Sequence, residues 1–165
     1  MTTLAFQSTA YAGIPYLLIL HTAAAPELQE WQAYVDVVAA AMSNSSAMLY
    51  SFVITDGGGP SSRQRKDLAD AYTLGNGKAN THVFTTSTLV RGIVTAFHWM
   101  NWTPTEAHHP LEFAAVCARC QLPPSVILTG FCQLQNQLPS VAILNGIEAS
   151  VRVFSLKQEA SRPAP

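Results

Sequence analysis

A glycine- and serine-rich segment at positions 55–66 has the residue types best suited to chemistry in this chain. It reads TDGGGPSSRQRK and follows an apolar run at residues 47–54 that is typical of a buried strand. Backbone amides of a glycine turn that enters a helix can bind an anion, and Ser61 or Ser62 is a candidate phosphoacceptor. A sharp turn whose serine only caps the next helix is the alternative.

Positive charge appears abruptly at this segment. Residues 1–60 contain no Lys or Arg, whereas three basic residues fall between positions 63 and 66. Cations are mildly unfavourable at a helix N-terminus, so their presence indicates an acidic partner, an anion or a serine that becomes one. The candidate anion- or partner-binding residues are Asp56, Gly57, Gly58, Gly59, Arg63, Arg65, Lys66 and, on a later helix, Arg91.

The segment fits neither of two common phosphate-binding motifs. It lacks the Gly-Lys-Ser/Thr ending of a Walker loop, and its three consecutive glycines do not have the spacing of a dinucleotide fingerprint. No nucleophile elbow or H-E-x-x-H motif occurs elsewhere. Asp56 with Ser61 or His82 would form a catalytic set only if the fold brought them together, so we expect no catalytic residues and no enzyme.

A C-x-x-C pair, Cys117 and Cys120, lies at the end of a predicted helix. Redox pairs belong at a helix N-terminus, and zinc would need two further ligands beyond this pair. We therefore interpret both cysteines as packing residues and expect no metal and no cofactor.

Two tryptophans, Trp99 and Trp102, form the densest aromatic patch. Tryptophans at a helix end often close a core, but they are also enriched at protein interfaces. Both residues are therefore interface candidates as well as core candidates.

Composition excludes several classes of protein. The 165 residues are 48% apolar and only 12% charged, with a net charge of −1. This balance predicts neither nucleic-acid binding nor membrane insertion. Three cysteines without an apparent secretory signal favour a cytoplasmic protein. The scarcity of charge indicates a surface covered by a partner, so we expect a homo-oligomer.

Alternating strand and helix patterns predict an α/β fold with a mostly parallel sheet of four to five strands and crossover helices. Two strands come first, at residues 4–12 and 14–23. We expect one domain over residues 1–145, with an extra C-terminal helix at 125–138. Residues 146–165 are predicted to be an extension that ends in a largely disordered tail.

The extra helix has a stripe of large apolar side chains that the predicted sheet has little room to cover. We expect this stripe to contribute to the contact between copies of the chain. Its interface candidates are Ile127, Phe131 and Leu134.

The element order, together with residues 55–66 and the run LVRGIVTA at 89–96, resembles the anti-sigma-factor-antagonist (STAS) family. The resemblance covers about residues 14–120 and implies a STAS-like regulatory module that binds a protein partner. It also implies a serine switched by phosphorylation, which falls on Ser61 or Ser62. The family loop usually reads Asp-Ser-Ser/Thr-Gly-Leu, whereas here glycines and Pro60 precede the serines.

Together these observations predict a non-enzymatic signalling module that acts by protein–protein interaction with a regulatory partner. The alternative is a small-molecule or phosphate-binding protein, or an enzyme, in which the loop at 57–62 cradles an anion.

Overall fold

The chain begins with a β-hairpin. A computed structural model describes residues 2–75, 78–99 and 103–161, with backbone alone at 96–99. Strand β1 (Leu4–Tyr11) pairs antiparallel with β2 (Ile14–His21). The two residues between them, Ala12 and Gly13, have φ angles of 48° and 82°, as a two-residue hairpin turn requires.

Three crossovers then extend the sheet in one direction. Each places a helix between parallel strands, so that the strands lie in the sheet in the order in which they follow one another in the chain. The elements are α1 (Leu28–Asn44), β3 (Met48–Thr55), α2 (Ser62–Tyr72), β4 (Lys78–Phe84), α3 (Thr88–Trp99) and β5 (Thr105–His108). The predicted α/β class and mostly parallel sheet are confirmed, and the described sheet has five strands.

Three further helices follow β5 through a short 3-10 turn at Pro110–Glu112. They are α4 (Phe113–Arg119), α5 (Pro124–Gln135) and α6 (Ile143–Ala160). Their apolar residues form one buried cluster with the sheet residues Leu18, Phe52 and Phe84. Helices α1 and α2 pack on the opposite side chains of the same strands, among them Leu17 and Ile19, so the sheet lies between two helical layers.

The prediction of a largely disordered tail is wrong for residues 146–160, which are helical, and residues 162–165 lie outside the described part of the chain. Helix α6 continues to Ala160, and its residues Ile143, Leu144, Ile147 and Val151 are buried against the sheet layer. These positions share one helical face, so their burial stabilises the helix. Gly146 lies where a Cβ would meet nothing within 4 Å, and it does not interrupt the helix.

The prediction that the apolar stripe of α5 is exposed is also wrong. Ile127, Phe131 and Leu134 are each at most 2% exposed and pack within the chain's own core. Gly130 allows this approach, since a Cβ there would overlap Leu18 of β2. These three residues therefore do not supply the contact between copies, and self-association stays a prediction without them.

Among the described residues, no helix combines the length and apolarity needed to cross a lipid bilayer.

Candidate functional site

The glycine segment forms a tight loop at the carboxyl end of β3. Gly57 has φ +148°, a conformation that favours glycine. A Cβ on Gly58 would overlap the carbonyl oxygen of Ala24 and lie 2.7 Å from that of Ala23. The loop is therefore packed against the connection between β2 and α1, which requires a residue without a side chain at position 58.

Asp56 links this loop to the last helix. Its carboxylate accepts hydrogen bonds from the backbone N–H of Ala142 at 2.7 Å and of Ile143 at 3.0 Å. Both amides lie at the start of α6, where helix N–H groups lack partners within the helix. The role expected for Asp56 therefore changes, because its carboxylate caps α6 instead of facing an anion or a partner.

Ser61 caps the start of α2. Its Oγ accepts from the N–H of Gln64 at 3.3 Å, and its own N–H donates to Gln64 Oε1 at 2.7 Å. Gln64 is further tied to Pro26 and Trp31. This capping box occupies two amides that an anion cradle would need.

Ser62, the first residue of α2, is exposed, and its hydroxyl faces a cation. Arg65 donates from one guanidinium nitrogen to Ser62 Oγ at 2.9 Å and from the other to the carbonyl of Pro60 at 2.8 Å. Lys66 pairs with Asp70 at 2.7 Å on the exposed face of the helix. The first two turns of α2 thus present a hydroxyl and several cations on one surface.

Two of the predicted cations have no fixed partner. Arg63 and Arg91 are exposed, and neither side chain makes a hydrogen bond or ion pair with the described residues. Helix α3 does approach the loop, because a Cβ on Gly59 would lie 3.3 Å from Ile93 Cδ1. The structure places Arg91 on this helix without joining its side chain to the loop.

A cavity of about 110 Å³ lies beneath the loop, between the sheet and helices α1, α2 and α3. Its lining is mostly apolar and includes the loop itself. The lining residues that matter here are Val53, Gly59, Pro60, Val90, Ile93 and Val94. Sequence reasoning missed this cavity, because it depends on the spacing between helices that belong to different crossovers.

Two buried polar atoms in the cavity lining, His21 Nε2 and Thr81 Oγ1, make no hydrogen bond of good geometry within the described protein, although the backbone of Ala24 and Gly58 approaches the His21 ring. The other ring nitrogen of His21, Nδ1, lies 3.2 Å from Thr55 Oγ1. Burial lowers the pKa of His21, against the opposing effect of the Glu30 carboxylate. The cavity thus combines apolar walls with two neutral polar groups, and a small molecule with one or two polar atoms matches it better than a phosphate does.

A second polar cluster lies on the other face of the sheet. His82 Nδ1 is 3.1 Å from His108 Nε2, and Glu106 Oε2 is 3.4 Å from the same His108 nitrogen. His82 Nε2 lies 3.4 Å from Cys120 Sγ, and Arg119 approaches Glu106 at 3.6 Å. Burial, together with His108, lowers the pKa of His82 to about 4.

Sequence reasoning missed this cluster, although a signal was present. Glu106 and His108 are two positions apart on β5, so they share one face of the sheet. Glu106 pairs with His82 of β4, which places all three side chains together. The register between the strands decides the contact.

The C-x-x-C pair is buried. Cys117 is fully buried and Cys120 is nearly so, both within the core beneath α4 to α6. Burial raises the pKa of the Cys117 thiol well above its usual range and that of Cys120 to about 11. Neither thiol has the acidity of a redox cysteine, which fits a packing role.

The possible catalytic set is not assembled. Asp56 caps α6, Ser61 caps α2, and His82 lies on the opposite face of the sheet from the cavity. Of the two tryptophan candidates, Trp102 lies outside the described residues, as does the side chain of Trp99.

Comparison of the chain with protein-family models, with curated proteins and with solved structures found no match.

Proposed function

We propose that this chain is a non-enzymatic regulatory module that binds a protein partner through the exposed start of α2, with Ser62 as its phosphoacceptor. The observation that carries the proposal is the exposed Ser62 hydroxyl with the Arg65 guanidinium 2.9 Å away. The resemblance to STAS modules points to the same loop, and the order of two strands followed by helix–strand repeats supports it.

The hydrogen bonds favour Ser62 over Ser61 as the modified residue. The Ser61 hydroxyl accepts a bond within the capping box, so a phosphate there would disrupt the start of α2. The Ser62 hydroxyl is free of that network, and its only hydrogen bond among the described residues is the one it accepts from Arg65. A kinase could therefore modify Ser62 without unfolding the helix.

Electrostatics favour a phosphate at this position. Phosphorylation would add about −1.5 to −2 charges beside Arg65 and the exposed Arg63. A negative group in the first turn of a helix is also stabilised by the helix dipole. The modification would convert a basic surface into a neutral or acidic one, which changes the partner that it attracts.

The loop beneath this surface is held on two sides. Gly58 packs against the β2–α1 connection, and Asp56 binds the start of α6. The surface is therefore presented in a defined geometry, which lowers the entropic cost of binding a partner.

The proposal is tested in the protein's native cells. Phosphopeptide mapping should find phosphate on Ser62, and Ser62→Ala should remove it, while Ser61→Ala should lower stability by about 1 kcal/mol. Phosphate on another residue alone, or none under any growth condition, would exclude the switch.

Partner binding needs a separate test. Proteins cross-linked to the wild type in the cell should be lost in the combined variant Arg63→Gln, Arg65→Gln and Lys66→Gln. They should be retained in a matched control, Arg152→Gln with Lys157→Gln on the exposed face of α6. Retention of the same proteins by the first variant at unchanged stability would show that this surface does not bind them.

A second candidate function, binding of a small molecule, is favoured by the cavity and its two polar atoms. This cavity of about 110 Å³ is smaller than the apolar cavity of about 150 Å³ that binds benzene, but it is open to solvent on one side and offers polar partners as well. Phenol, which adds a hydroxyl to an aromatic ring, is therefore a suitable probe.

Binding of phenol is measured by nuclear magnetic resonance or by thermal shift. Val90→Phe should fill the cavity and abolish binding, whereas Leu89→Phe, at an exposed neighbouring position, should not. Thr81→Val should weaken phenol binding and leave benzene binding unchanged. Equal binding of phenol to Val90→Phe and to the wild type would place the ligand elsewhere.

A further inference from the structure

Three potential metal-ligating atoms converge on the sheet face opposite the cavity. They are His82 Nδ1, His108 Nε2 and Glu106 Oε2, and all lie within 4.8 Å of one another. Their separations are 3.1, 3.4 and 4.0 Å. A single proton can bridge only one of these pairs at a time, whereas a dication placed between the three atoms would interact with all of them.

The size of this triangle matches a metal ion. From the three separations, the point in their plane equidistant from all three atoms lies about 2.1 Å from each. Zinc–nitrogen and zinc–carboxylate bonds are about 2.0–2.2 Å long. At that point His82 Nδ1 and Glu106 Oε2 subtend about 150°, so the half-exposed Glu106 side chain has to move toward His82 to reach the tetrahedral angles of a zinc site.

Neighbouring groups orient the ligands. Cys120 Sγ lies 3.4 Å from His82 Nε2, so a proton held on Nε2 leaves Nδ1 free to bind a metal. His82 and His108 are buried on adjacent paired strands, which fixes their spacing. Glu106 is half-exposed on the edge strand, so an ion can reach it from solvent.

We propose that His82, Glu106 and His108 form a binding site for a divalent transition-metal ion, with zinc as the fitting ion. Two imidazoles and one carboxylate are a donor set used by zinc sites that also bind water or a substrate. Neither sulfur of the C-x-x-C pair is a ligand in this site. It revises the expectation that the chain has no metal site, and it does not depend on the proposed role of Ser62.

The experiment measures zinc binding to the metal-free full chain by isothermal titration calorimetry. We expect one zinc per chain for the wild type. Glu106→Gln and His108→Gln should each weaken zinc binding at least about tenfold, since even partners outside the ligand sphere contribute that much. Two matched controls, Glu159→Gln and His109→Gln, remove an exposed carboxylate and an exposed imidazole outside the cluster and should leave zinc binding unchanged.

Cobalt substitution identifies the ligands without relying on stability. The cobalt-loaded chain should show the visible bands of a tetrahedral or five-coordinate ion, with no thiolate-to-cobalt charge-transfer band. Cys120→Ser should keep those bands. Absence of zinc binding by a folded wild type, unchanged affinity in the folded Glu106→Gln variant, or a thiolate band lost in Cys120→Ser would each overturn the proposed site.

Discussion

Replacing Asp56 with alanine should destabilise the fold through helix α6, far along the chain from the substitution. The carboxylate accepts the N–H groups of Ala142 and Ile143, which open that helix. The buried residues of α6 complete the core cluster on one face of the sheet. Loss of the cap would leave two amides without a protein partner and would loosen the first turn of α6.

The expected magnitude follows from these two bonds. Loss of a helix cap costs about 0.5–2 kcal/mol, and hydrogen bonds to a charged group contribute about 1.5–3 kcal/mol each when well buried. Because Asp56 is only partly buried, we expect a loss of about 1.5 kcal/mol for Asp56→Ala. In a chain of this size, that loss lowers the melting temperature by about 3–6 °C.

Urea unfolding followed by circular dichroism measures the change. Asp56→Asn keeps one acceptor oxygen and should lose about half as much stability as Asp56→Ala. Asp36→Ala, at an exposed carboxylate bonded within α1, should stay within about 0.5 kcal/mol of the wild type. If Asp56→Ala were as stable as Asp36→Ala, Asp56 would not cap α6 and its role on the binding surface would have to be reconsidered.

Three further results are expected. Gly58→Ala should lower the free energy of unfolding in urea by about 1–3 kcal/mol, because the added Cβ would overlap the carbonyl of Ala24. Gly146→Ala, where the Cβ meets open space, should be neutral or stabilising. Equal effects of the two substitutions would contradict the packing of the loop. The free energy of unfolding should decrease as the pH falls below about 6.5, because the unfolded chain protonates His21, His82 and His108 before the native chain does. His21→Gln should remove part of this decrease, and a variant with the same pH dependence as the wild type would assign it to the other two histidines. Phe131→Glu should abolish cooperative thermal unfolding, since the side chain at this position is fully buried. A folded variant that sediments as a smaller species than the wild type would support the interface role predicted from the sequence.

Local sequence was enough to predict the order of elements up to β5. Apolar runs of six to eight residues between turn signals indicate strands, and the Ala12–Gly13 turn joins the first two as expected. Serine at position 61 predicts the start of α2, because N-cap preference depends on a side chain and an amide three residues away. These features involve neighbours in the chain, so the sequence alone determines them.

Helices α4 and α5 were also predictable from local sequence, but helix α6 was not. Helix α6 has buried positions spread over a long stretch with polar residues between them, and its first amides are capped by Asp56, 86 and 87 residues earlier. Its stability comes from this distant cap and from burial against the sheet. Periodicity predicts the apolar stripe of α5, but only the packed structure shows that the sheet has room for it.

The candidate sites also differ in whether local sequence is enough to predict them. The basic start of α2 is local, and the sequence by itself singled out Ser61, Ser62 and the cations that follow them. The cavity and the His82–Glu106–His108 cluster depend on which residues face each other across strands and between helices. Periodicity predicts which face of a strand a side chain occupies, whereas the register between strands and the gap between helices are set only when the whole chain packs.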